Sequence, residues 1–168
     1  MSIIHGRDGH PLHPPLTDAA IGAYTVACIF AVIGALGWIE DAAGKTAWLA
    51  LLVGICAGVA SAATGLADLL TIPRSSPTFR SAAIHGSVMA CASLLFVLAA
   101  VFQYDGFHEG TVTTAGLVFT AAGFVLLMVG GWLGGALVFV HGIRVKPASP
   151  SPTGKEPYVD RARRSSNR

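Results

Sequence analysis

Charge is what this sequence has least of. Only 12% of its 168 residues are Asp, Glu, Lys or Arg, against 53% hydrophobic, and the mean hydropathy is +0.63. A chain so poor in charge cannot cover a water-soluble surface, and it offers no basic face for nucleic acid. Cysteine is scarce too. Cys28, Cys56 and Cys91 fall one each in three separate apolar runs, which excludes a disulfide framework or a clustered iron–sulfur site and leaves them as small packing residues. A cleavable leader would need a basic stretch and a short apolar core. Here the first apolar run is of full length and follows a proline- and histidine-rich segment with a single arginine, so no cleavage is expected.

Long apolar runs are what remains. Four of them, near Leu16 to Ile39, Ala47 to Leu70, Ala82 to Phe102 and Thr114 to Val140, each reach the roughly 20 residues a helix needs to cross a bilayer. They are neither short nor alternating, so strands of a barrel are excluded and helices expected. The short loops make successive helices antiparallel neighbours. The fold class is therefore an all-α membrane protein, four transmembrane helices in an up-down-up-down bundle. Residues 1–15 form an N-terminal His/Pro segment, 16–146 the membrane domain and 147–168 a proline-, serine- and arginine-rich tail expected to be disordered.

Orientation follows from the basic residues. Arg7, Arg74, Arg80, Arg144, Lys146, Lys155, Arg161, Arg163, Arg164 and Arg168 belong to the N-terminal segment, the second loop and the tail, whereas the first and third loops hold only Lys45. Both termini are thus expected in the cytoplasm, in a bacterial inner membrane. Trp38, Trp48 and Tyr104 fall near the opposite interface, where aromatic rings act as anchors.

Small residues mark the faces that pack. Behind Asp68 on its own helical face come Gly65, Thr64, Ser61, Ala60, Ala57 and Gly54; counting back from His141 gives Gly134, Gly131 and Gly130. Such stripes allow close helix contact, and they predict that Asp68 and His141 point into the bundle, as does His85, which shares a face with Met89 and Ala92.

Packing does not explain the ionisable residues at one end of the bundle. Asp18 starts the first run, Asp68 closes the second, His85 starts the third and His141 closes the fourth, with His10 and His13 just ahead of the first. By helical rise, Asp68, His85 and His141 lie roughly 5 to 9 Å inside the basic boundary. Several such groups at one depth predict a shared site, although Asp18 also suits a helix N-terminus as a dipole partner. Three chemistries fit. A b-type haem could be ligated by His85 and His141, each followed by a glycine, with His13 or His10 as substitute and Asp68 or Asp18 supporting an imidazole. A divalent metal ion could be held by His10, His13, His85 and His141. Or the groups bond only one another, as a structural layer or a proton or cation pathway, with no cofactor. No residue stands out as catalytic.

The motifs Gly9-His-Pro-Leu-His-Pro-Pro15, Gly65-Leu-Ala-Asp68, His85 and Gly135-Ala-Leu-Val-Phe-Val-His-Gly-Ile-Arg-Val145 make the chain resemble a bacterial membrane family known as domain of unknown function 2231. The resemblance implies a four-helix inner-membrane protein. Some relatives carry Rieske-type iron–sulfur domains, which points towards electron transfer. In the family a polar residue, commonly Asn, often stands one turn after the third-helix histidine; here it is Met89.

The leading expectation is accordingly a membrane protein that holds haem or a metal near the cytoplasmic face for electron transfer, together with a redox partner. An accessory subunit of a larger complex, a homo-oligomer and a small ion pathway are the alternatives. The charge asymmetry makes one outcome specific. Reporters fused after Arg168 and inserted near Gly106 are expected to read opposite sides of the membrane, and finding both on one side would rule out this topology.

Overall fold

The computed structural model describes residues 10–143 and 145. Most of the N-terminal segment and the tail beyond Lys146 lie outside the described residues. The chain forms helices α1 (His13–Ala35), α2 (Glu40–Leu69), α3 (Pro77–Phe102), α4 (Tyr104–Glu109) and α5 (Thr114–Phe139). Four of these, all but α4, are long and apolar enough to cross a membrane. Their outer faces carry Val53, Val59, Val101, Val125, Met128 and Trp132, all exposed, as suits contact with lipid.

Local chemistry sets the boundaries. Pro14 and Pro15 occupy the first turn of α1, where a missing N–H is harmless. At its other end Gly37 turns the chain at φ 78, a conformation glycine adopts without penalty, so α1 stops short of Ile39. Ser76 caps α3 by accepting the Phe79 N–H at 3.1 Å, with Pro77 as the first helical residue. Thr113 caps α5 through the Gly116 N–H at 3.0 Å. The short α4 was not expected from the sequence. It is held from beneath by Gln103, a fully buried amide that donates to Thr111 O at 2.7 Å and accepts from Thr113 N at 2.9 Å. Trp48, Tyr104, Phe107 and His108 gather at this end of the bundle, with Trp48 and Phe107 rings 4.5 Å apart.

The most extensive packing joins α1 to α2 and α3 to α5. In the first pair Gly34 meets Ala43, Gly54 meets Tyr24 and Gly65 meets His13. Numbers fall along one helix as they rise along the other, so the pair is an antiparallel hairpin. The second pair repeats the arrangement, with Gly123 against Phe96 and Gly134 against His85.

These are equivalent positions of an internal repeat. Along α1 and α3 the pattern His-x6-Ala-x3-aromatic-x2-Ala occurs twice, as His13, Ala20, Tyr24, Ala27 and as His85, Ala92, Phe96, Ala99. Along α2 and α5 it is Gly54, Ser61, Gly65 and Gly123, Gly130, Gly134. Tyr24 and Phe96 then stack on each other at 3.7 Å with planes 7° apart. A residue can meet its own counterpart only at a symmetry axis, so the two hairpins are related by an approximate two-fold through this ring pair. Around it Ala20, Ala27, Leu51, Ala92, Ala99 and Leu127 make the core.

Each ring lies in a notch left by a missing side chain. A Cβ at Gly54 would stand 2.6 Å from the Tyr24 ring, and one at Gly123 3.0 Å from Phe96, whereas Gly22 and Gly131 have nothing within 4 Å. Gly131 was expected on the inward stripe; it faces outward, because Gly130 and Gly134 already define the contact line. Gly123→Leu should therefore unfold at a markedly lower temperature than the parent in detergent, by the overpacking cost of about 1–3 kcal/mol or more. Gly131→Leu should leave the transition nearly unmoved.

Candidate functional site

His13 and His85 occupy the second notch of each hairpin. His13 opens α1, and its ring lies on Gly65 of α2, where a Cβ would be 2.7 Å from its Cε1. His85, two turns into α3, lies on Gly134 of α5, where a Cβ would be 3.0 Å from its Cε1. Both Nδ1 atoms make the same bond. His13 Nδ1 donates to Ser61 O at 2.9 Å and His85 Nδ1 to Gly130 O at 2.9 Å.

A carbonyl oxygen can only accept, so each Nδ1 must carry the proton. In a neutral imidazole this leaves Nε2 as a bare lone pair. No hydrogen bond to either Nε2 comes from the described residues. The arrangement thus presents two oriented nitrogen donors, one from each hairpin, at the same end of the axis.

Around His13 the environment is polar. Ser61 Oγ lies 3.3 Å from His13 Nδ1 and 2.7 Å from Thr17 Oγ1. Thr17 donates to His13 O at 2.9 Å, and Thr64 to Ser61 O at 2.8 Å. Around His85 it is apolar, with the Met89 sulfur against Gly130.

The other sequence candidates are placed differently. His141 is exposed and lies beyond α5, contrary to the expected inward orientation. The helix winds out at Val140, and Gly142, at φ 65, reverses the chain, with Gly142 N bonded to Val138 O and Ile143 N to Leu137 O. Gly142 is thus a helix stop of the left-handed kind rather than space beside a ligand. Gly130 and Gly134 are likewise filled, by Met89 and by the His85 ring. His10 and Asp18 are exposed, and Asp68 is half-buried near the end of α2. Among the described residues no three His, Cys, Asp or Glu side chains come together as metal ligands.

Sequence reasoning found both histidines but not their equivalence. The recurring spacing from histidine to aromatic would have revealed it.

The whole bundle, both histidines included, falls within one recognisable unit. The chain belongs to the family of predicted membrane proteins called domain of unknown function 2231, whose model matches residues 9–147. No curated protein and no solved structure matches the chain. The chain is accordingly described by its own geometry: a multi-pass membrane protein with one imidazole seated in the same way in each hairpin.

The notches differ in tightness, and that is measurable. Alanine in place of glycine favours a helix by up to about 1 kcal/mol. At Gly134 this gain should roughly offset the contact with His85, so Gly134→Ala should melt close to the parent. Gly65→Ala presses harder on His13 and should melt lower, by an overpacking cost of about 1–3 kcal/mol.

Proposed function

We propose that this protein holds a b-type haem between His13 and His85 and serves electron transfer at the cytoplasmic side of a bacterial inner membrane. The observation that carries the reading is the shared orientation of the two imidazoles, Nδ1–H fixed on a backbone carbonyl and Nε2 left bare. That is how a protein prepares histidine as a ligand, because the second bond fixes both ring orientation and tautomer.

The ligand count favours haem over a bare ion. A structural zinc ion takes four protein ligands, whereas haem brings four equatorial nitrogens of its own and asks only for axial donors. Two oriented imidazoles meet the second requirement. Bound there, haem would supply one-electron chemistry. The protein's part is to hold each ring: Gly65 and Gly134 seat it, and the Ser61 and Gly130 carbonyls turn it. The glycines themselves do not make room for a macrocycle, because the rings fill them, so haem would need space between the hairpins at the histidine end.

The cytoplasmic placement rests on charge. Arg74 lies in the loop and Arg80 in the first turn of α3 at the histidine end, and Lys45 at the other, the bias that retains such a segment in the cytoplasm.

Protein expressed with haem supplied is expected to show a Soret band with the narrow, low-spin visible bands of two nitrogen ligands. His13→Ala and His85→Ala should each lose that spectrum, and His10→Ala and His141→Ala should keep it. A folded, colourless parent protein would refute the haem reading and leave the imidazoles as a structural clamp between helices.

A further inference from the structure

The approximate two-fold allows each half of the molecule to act as the control for the other, and the outer faces of α1 and α3 differ in a telling way. Pro15, Asp18, Ala19 and Gly22 share one face of α1, at helical spacing, and all four are exposed. Their equivalents on α3 are Ser87, Ala90, Cys91 and Leu94, exposed as well. Where α3 presents a methyl group and a leucine to the membrane, α1 presents a carboxylate and, at Gly22, no side chain. Nothing lies within 4 Å of where a Cβ on Gly22 would stand. Since Ala90 serves at the equivalent position, the fold does not require the acid.

Asp18 is also deep. Both α1 and α3 leave the histidine end, so the two-fold runs along the bundle and equivalent residues lie at equal depth, as in other parallel repeats. Asp18 is thus level with Ala90. Along α3, Arg80 lies ten residues before Ala90, and the helix ends at Phe102, twelve residues after it. Those separations are roughly 15 Å and 18 Å of helix, which puts Asp18 near the middle of the span. The cause is the start of α1 on His13, level with His85, eight residues past the start of α3.

Nothing else in the bundle accounts for a charge at that place. The first turn of α1 contains no acidic residue, and the helix dipole fades within that turn, so Asp18 is not a dipole partner. Its carboxylate has no hydrogen bond or ion pair with the described residues. An ionisable side chain at such depth is costly against lipid and is retained where another group pairs with it. A second copy of this chain offers no cation at that level among the described residues. Arg74 and Arg80 belong to the histidine end, and Lys45 to the start of α2 at the other.

We infer that the outer face of α1 is a docking surface for a transmembrane helix of another protein, one that carries a single Lys or Arg near its middle. The cation pairs with Asp18, and the helix closes on Ala19 and Gly22, since small residues let two helices approach. Out of water a carboxylate holds such a cation more strongly than it does at a solvated surface. The face of α3, with Ala90 and Leu94, stays with lipid. The inference rests on the membrane placement of the bundle and not on haem.

The test uses the full-length protein, with a fluorescent protein fused after Arg168, in liposomes that also contain acceptor-labelled synthetic helices of leucine and alanine. One peptide has a lysine at its centre and the other a leucine; the central position makes the direction of insertion immaterial. Energy transfer is expected to report an association stronger by about threefold or more for the lysine peptide, the factor that one average hydrogen bond within a membrane supplies. Asp18→Ala should abolish that preference and Gly22→Leu reduce it, whereas Ala90→Leu should keep it. All three positions are exposed, and thermal unfolding checks that each variant melts as the parent does. Equal association of the parent with both peptides, or a preference that survives Asp18→Ala, would overturn the proposal. So would a preference that emerges only after removal of residues 1–9, because Arg7 would then be the cation that covers Asp18. None of these outcomes bears on the Soret spectrum, so the two proposals fail independently.

Discussion

Helices in a bilayer gain little by hiding apolar side chains from each other, since lipid tails are as apolar as the partner would be; what joins them is close van der Waals contact and the few polar bonds they can make. In this bundle that constraint is met by placing a flat ring of one helix on a glycine of the next. Tyr24 on Gly54, Phe96 on Gly123, His13 on Gly65 and His85 on Gly134 are four instances of one contact. Removing the Cβ lets the ring approach the backbone itself. Everything else follows from these seats. They set the register of each hairpin, they bring Tyr24 and Phe96 together on the axis, and they bring both imidazoles within reach of a backbone carbonyl.

Much of this was legible in the sequence, and the parts that were not have physical reasons. The spans were readable because lipid exposure makes whole helices apolar, and their starts because Pro14, Pro15, Ser76 and Pro77 are strong local signals. The helix α4 was not. Six residues, Tyr-Asp-Gly-Phe-His-Glu, have no room for periodicity, and their helix depends on Gln103, a partner outside the segment. The position of His141 was misjudged by extending the α5 face past its end; Gly142 was the signal that the helix had stopped. The outward turn of Gly131 shows that a run of glycines fixes a contact line only once the ring that fills it is known. The repeat was hidden because, outside the shared histidine, alanines and glycines, its halves differ: Tyr with Phe, Ser with Gly, Thr with Leu.

The candidate site was legible as a collection and not as an arrangement. The depth estimate, made from basic residues, put His85, His141, Asp68 and Asp18 in one layer, yet depth is only one coordinate. The other is the angle about the helix, and for a residue beside the first or last turn that angle depends on where the helix begins. His13 becomes an inward residue because α1 starts on it, with two prolines following. Its carbonyl then accepts Thr17 and its ring falls on Gly65. Two residues that sequence position made peripheral and central, His13 and His85, turn out to be equivalent.

That equivalence bears on why histidine stands at these two positions. A phenyl ring would fill either seat, as Phe96 does at its own. What imidazole adds is two nitrogens, and the hairpin uses just one of them, at the carbonyl of Ser61 or Gly130. A hydrogen bond of this kind within a membrane contributes only about 0.6 kcal/mol on average, little reason by itself to set a titratable ring there. The remaining nitrogen of each ring is surplus to packing and to helix association alike. Since the two-fold carries both surpluses to the same end of the bundle, the packing that seats one imidazole with a spare nitrogen also seats the other.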